Sequence, residues 1–176
     1  MVPDRVNLMA WLTALAQDVA GYDLKIALGY VEWIKVNDET GSFAYGQACH
    51  SFVQSSIEEL EKRGFIPPPG VNLKHVEVEL IRATRIPFHY HRRSDVVMVS
   101  LAIRNRGNAL MSLGSPGSRK AGEFGNLYRD RWVTQIPRDT VHGFEVCGPG
   151  KKPMYLLGVN YPPIAQSDVH HPSVIR

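Results

Sequence analysis

Pro87-Phe88-His89-Tyr90-His91-Arg92-Arg93-Ser94-Asp95 is the stretch on which the reading of this chain turns. On a β-strand, side chains two positions apart share a face, so His89 and His91 project together and Tyr90 projects away. Asp95 follows a turn-like Arg92-Arg93-Ser94, and a hairpin at this point returns a carboxylate toward the two imidazoles. Two neutral imidazoles and a carboxylate form a mixed N/O donor set suited to Fe, Mn, Ni or Zn.

A second stretch, Ile136-Pro137-Arg138-Asp139-Thr140-Val141-His142-Gly143-Phe144, places a turn before a strand that carries His142, with Phe144 and Val146 on the same face. Alone, a histidine beside apolar residues reads as a core group. Beside the His89/His91 pair it becomes a candidate ligand.

Outward from these segments the chain is β-like. Val76, Val78 and Leu80 alternate with Glu77, Glu79 and Ile81, and further apolar runs span 95–103, 109–113, 132–136, 140–147 and 154–160. Short strands at near-regular spacing predict an all-β sandwich or barrel. The segment 114–122 reads as a mobile loop, and it lacks the Gly-Lys-Ser/Thr ending of a phosphate loop. Pro67-Pro68-Pro69-Gly70 cannot continue a helix and marks the internal boundary. The expected division is a helical extension over 1–66, a proline-rich linker at 67–70 and a β-barrel over 71–176.

Before the boundary the pattern is helical. Leu8, Trp11, Leu12, Leu15 and Val19 line one face, with Asp4 or Asn7 as cap and Gly21 as stop. Cys49, Val53, Ile57 and Leu60 line another, which ends at Lys62, Arg63 and Gly64. The stretch from Asp23 to Val36 is read as a further helix. Trp11, Leu12, Trp33 and Phe52 are expected to pack on the outside of the barrel or on a second subunit.

Composition excludes several classes. The 176 residues are 44% hydrophobic and 21% charged, with a net charge of +3. These are the values of a soluble globular domain rather than of a disordered or fibrous chain. No apolar run is long enough to span a bilayer, and no signal core precedes the first helical pattern, so the expected location is cytoplasmic. Cys49 and Cys147 match no redox or metal spacing and are expected as buried free thiols. A nucleic-acid-reading head is not expected, because 4–20 carries only Arg5 and 49–60 has no lysine or arginine.

The two histidine segments resemble the motifs of the cupins, small double-stranded β-helix (jelly-roll) barrels. The family's first motif runs HxH, then three or four residues, then an acidic ligand; here it reads His89-Tyr90-His91 and Asp95. Its second, PxGxxH, here reads Pro137-Arg138-Asp139-Thr140-Val141-His142. The resemblance covers about 71–161 and implies a mainly β fold with an N-terminal helical segment. It further implies a divalent metal (Fe, Mn, Ni or Zn) held by His89, His91, Asp95 and His142. Asp95 stands where the family usually has Glu, and Asp139 where it has Gly.

Cupins span many activities, so the resemblance implies a small metalloenzyme of dioxygenase, lyase or isomerase type rather than one reaction. Arg82, Arg85, Arg92 and Arg93 bracket the first motif and would favour an anionic small molecule if they face the barrel mouth. Val97, Val99, Phe144 and Val146 are expected as dry pocket walls. Arg85, Arg92, Phe144 and Tyr155 are thus the candidate substrate contacts. His170 and His171 are read as surface residues. A homodimer is expected, with neither nucleic acid nor membrane as partner. The alternatives are a metal-free barrel like the deoxysugar epimerases, whose second motif region is similar to 136–144, and a non-catalytic ligand- or metal-binding cupin.

Overall fold

The computed structural model describes residues 3–21, 33–37, 41–44, 47–101, 108–119, 124–126, 132–147 and 151–172. Helix α1 spans Arg5–Ala20, and Asp4 caps it by accepting the Val6 amide hydrogen. Its stripe Leu8, Trp11, Leu12, Leu15 and Val19 is buried, as the spacing requires. Helix α2 spans Gln47–Lys62 and buries Val53, Ile57 and Leu60. It ends where Gly64 adopts φ 82°, a left-handed backbone that glycine enters without a Cβ clash. The amides of Phe65 and Gly64 then donate to the carbonyls of Leu60 and Glu61, each at 2.9 Å. Arg63 ties the two helices together through Asp18 at 2.7 Å.

Among the described residues ten strands follow or intervene: β1 (Trp33–Asn37), β2 (Gly41–Ala44), β3 (Glu77–Ala83), β4 (Arg85–His89) and β5 (Asp95–Ser100), then β6 (Asn108–Leu113), β7 (Phe124–Asn126), β8 (Val133–Ile136), β9 (His142–Cys147) and β10 (Met154–Tyr161). They form a six-stranded sheet, β1-β2-β3-β10-β5-β8, and a four-stranded sheet, β4-β9-β6-β7, both antiparallel. The helical reading of 23–36 fails over its last residues. Trp33, Ile34 and Val36 suit a pleated surface, and β1 pairs with β2, which in turn pairs with β3 through Ser42–Arg82, Phe43–Ile81 and Ala44–Leu80. Residues 22–32 lie outside the described residues, as does the end of the 114–122 loop.

The six-stranded sheet is covered on both faces. On one, Leu80, Val97, Val99, Leu157 and Val159 pack against the buried stripes of α1 and α2. On the other, Ile81, Val96, Met98 and Leu156 meet Met111 and Phe144 of the four-stranded sheet. Each fully buried leucine or valine here contributes about 2 kcal/mol. This double cover explains the apolar run Val96–Val99 within β5, all six residues of which are buried. Trp11 and Leu12 therefore end on the sheet, with Phe52 partly buried beside them. Cys147 is a free thiol but only half-buried. No described helix is long and apolar enough to cross a membrane.

The four-stranded sheet packs tightly where it carries the histidines. A Cβ added to Gly143 would lie 2.7 Å from Phe88 Cδ1 and 3.2 Å from the Ile86 carbonyl oxygen. Gly143→Ala is expected to destabilise the chain by about 1–3 kcal/mol, because one of these neighbours is backbone and cannot yield. A lowered urea midpoint checks this.

Candidate metal centre

His89 ends β4 and stands opposite His142, the first residue of β9, in the antiparallel ladder. His91 follows one position beyond Tyr90, on the same side as His89. The three rings converge, with centroid separations of 4.1 Å (His89–His142), 4.9 Å (His89–His91) and 5.3 Å (His91–His142). One ring nitrogen from each lies within 4.8 Å of the others. Tyr90 points away: it stacks on His170 and lies under the Arg119 guanidinium, 3.8 Å from its ring centre.

Backbone carbonyls set the tautomer of every ring. His89 Nδ1 contacts the Pro87 oxygen at 2.8 Å, His142 Nδ1 that of Thr140 at 2.9 Å, and His91 Nδ1 that of Asp168 at 3.3 Å. A carbonyl only accepts, so each Nδ1 carries the proton and each Nε2 keeps its lone pair. The set could hold a metal ion: three neutral donors, each oriented by a second hydrogen bond.

Electrostatics agrees. Burial pushes His89 down to about 4, helped by the neighbouring His91. Burial and then His89 hold His142 well below its ordinary value, and burial also lowers His91. The unfolded chain titrates near 6.5, so it binds more protons than the folded one between about pH 6.5 and 4. Stability of the metal-free protein is thus fully present above 6.5 and is lost as pH falls through that window. Urea midpoints at about pH 7.5 and about pH 4.5 check the fall, which His89→Gln should make shallower.

Asp95 does not join the three histidines. It is 1% exposed, yet its carboxylate turns toward α1, where it accepts from Arg5 Nε and Nη2 at 3.2 and 3.1 Å. It also accepts the Arg138 amide at 2.8 Å, with Arg138 Nε 3.6 Å away. The cause is strand parity: Asp95, Val97 and Val99 face the helices, whereas Val96 and Met98 face the other sheet. Asp95 thereby clamps the second-motif turn from behind. Within that turn Asp139 takes φ 61°, the left-handed backbone that the glycine of the resembled motif supplies, and its amide donates to the His91 carbonyl at 2.6 Å.

A C-terminal strap completes the support. The Asp168 carboxylate accepts the amides of Arg92 and Arg93 at 3.0 and 3.1 Å, which fixes the turn after His91, while its carbonyl orients the His91 ring. His170 exchanges backbone hydrogen bonds with Tyr90, and His171 Nδ1 contacts the Phe88 oxygen at 3.1 Å. The two tail histidines are therefore docked on the first motif. No local pattern in the sequence marks Asp168 or His171 for this role, because their partners lie some eighty positions away.

The histidines open on a cavity of about 680 Å³. Phe144 lines it, together with Val96, Met98, Met111, Ile81 and Ile164. The other expected contacts do not. Arg85 is exposed and opposite Glu145, Arg92 is exposed, and Tyr155 packs on the helix side of β10. Val97 and Val99 face the helices, and Val146 sits in the core between the sheets. Among the described residues no arginine or lysine lines the cavity, and the acidic side chain there is Glu79, beside Asn160.

No family model matches the sequence, and no curated protein matches it. Among solved structures, the capsular polysaccharide assembling protein CapF from Staphylococcus aureus superposes with a TM-score of 0.51 at 14% identity, over 80% of this chain and 31% of that one. The chain thus spans under a third of the length of CapF. Pac13, described as a unique nucleoside dehydratase, gives 0.47 at 14% identity over 81% and 85% of the two chains. Drosophila melanogaster CENP-C bound to CAL1 gives 0.46 at 10% identity over 74% and 76%. At these identities the likeness is one of fold alone. The fold is cupin-like: mainly β, with antiparallel sheets and, among the described residues, two α-helices, the described strands not closing into one continuous barrel.

Proposed function

We propose that the chain is a divalent-metal-binding cupin, a small metalloenzyme of dioxygenase, lyase or isomerase type that acts on a small organic molecule. The observation that carries this reading is the convergence of His89, His91 and His142, one ring nitrogen of each lying within 4.8 Å of the others while a backbone carbonyl holds every Nδ1. A bound divalent ion supplies Lewis acidity or, as Fe(II), oxygen activation. The chain's own residues supply the rest. The three backbone carbonyls hold the imidazoles in place, and Asp168 and Asp139 lock the turns on either side of His91. Val96, Met98, Met111 and Phe144 exclude water from the space a substrate would fill.

Plasma mass spectrometry of the untagged chain tests the reading. About one equivalent of Fe, Mn, Ni or Zn per chain is expected, as isolated or after anaerobic reconstitution. No bound metal under either condition would overturn it.

A further inference from the structure

Across the cavity from its apolar roof, β10 carries a glycine at a position the fold itself does not demand. Gly158 lies in a strand hydrogen-bonded on both sides, opposite Glu79 of β3 and Met98 of β5. Glycine weakens a strand interior, and its presence there marks a bulge or a close approach by something else. The ladder through Gly158 is regular. A Cβ added there would meet Asn160 Oδ1 at 3.7 Å and Glu79 Cβ and Ile81 Cδ1 at 3.9 Å, all ordinary contacts. The fold has room for alanine; the cavity, which Gly158 lines, is what the missing side chain enlarges.

The groups flanking that gap are hydrogen-bond acceptors. Asn160, 1% exposed, donates its Nδ2 to Glu79 Oε1 at 2.6 Å and to Glu77 Oε2 at 3.3 Å. Two carboxylates can both be served only by the amide nitrogen, so the orientation of Asn160 is settled. Its Oδ1 is left buried without a partner. Glu79 and Asn160 both line the cavity.

We propose that Glu79, Gly158 and Asn160 form a substrate subsite that takes a hydrogen-bond donor, a hydroxyl or amino group, on a molecule with a compact apolar body. The subsite lies in the cavity of the proposed metalloenzyme and so rests on that cavity being the ligand site. It replaces the anionic substrate suggested by the arginines of the first motif, since none of them reaches the cavity. A carboxylate group only accepts hydrogen bonds and would offer these acceptors no donor.

Saturation-transfer NMR on the full metal-free chain tests this, with benzyl alcohol, benzylamine, toluene and benzoate as probes. Benzyl alcohol and benzylamine are expected to bind about fivefold more tightly than toluene and benzoate. Gly158→Ala, whose methyl group fills the gap, should abolish that preference while melting at or above the wild-type temperature. Glu79→Gln should weaken both donor probes, because it puts an amide NH2 donor where a carboxyl oxygen accepts and keeps the shape. Equal binding of the four probes, no binding up to about 10 mM, a preference that survives in Gly158→Ala, or a Gly158→Ala chain that melts well below wild type would each overturn the subsite. Donor preference in a chain that binds no metal retires the metalloenzyme reading alone; metal binding without donor preference retires the subsite alone.

Discussion

His142→Ala is expected to lower the affinity for Zn(II) several hundredfold, while the metal-free variant keeps its fold. Binding at a full structural zinc site is worth about 10–16 kcal/mol over four ligands, so one ligand accounts for about 2.5–4 kcal/mol. The fold survives because the imidazole is itself a costly group to bury: it is 3% exposed, and burial already holds its pKa well below the ordinary value. Losing it also frees the Thr140 carbonyl, a smaller loss than that of the ligand. Competition against a chromophoric chelator reads the affinity directly. A thermal scan gives a second readout. Zinc at about a thousand times its dissociation constant stabilises the wild-type chain by about 4 kcal/mol, and the variant should show almost none of that gain. A variant that binds zinc as tightly as wild type would remove His142 from the site.

Asp95→Asn is expected to produce the opposite pattern, with metal binding retained and stability reduced by about 2 kcal/mol. The buried carboxylate serves two guanidinium groups and the Arg138 amide, and an asparagine of equal size has one acceptor oxygen to offer in place of two. The loss falls short of that for a wholly buried pair, since the Arg5 and Arg138 side chains are 40% and 35% exposed and regain water when released. Denaturant titration measures the stability loss, and the chelator competition measures the affinity. The resemblance of the first motif assigns Asp95 to the metal, and on that assignment the variant would lose metal at unchanged stability. One variant therefore decides between ligand and clamp.

What separates the His89/His91 pair from Asp95 is how far their placement depends on distant chain. His89 and His91 lie two apart, and that relation holds wherever the strand goes. The same applies to the α1 stripe, the Asp4 cap and the Gly64 stop, each set by contacts within a few residues. Asp95 lies beyond a turn, and the geometry of Arg92-Arg93-Ser94 fixes the face on which β5 resumes. Asp168, from the far end of the chain, pins that turn. A shift of one residue in parity carried Asp95, Val97 and Val99 together to the helix side and brought Val96 and Met98 to the cavity.

The N-terminal strands tell the same story. Trp33–Asn37 has residues that suit either helix or strand, and its pairing with β2, and that of β2 with β3, decided between them. The arginines around the first motif carried a charge pattern but no direction, so the anionic ligand they suggested had no support once their faces were known. Local periodicity and capping chemistry determined, from sequence alone, the apolar faces of the helices, most of the later strands and the His89/His91 pair, to which the resemblance of the second motif added His142. Only tertiary structure decided the carboxylate's partner, the C-terminal strap and the Glu79–Gly158–Asn160 floor. Periods of 2 and 3.6 residues are written into neighbouring positions, whereas the face presented after a turn and the partner across a sheet are set by segments tens of residues away.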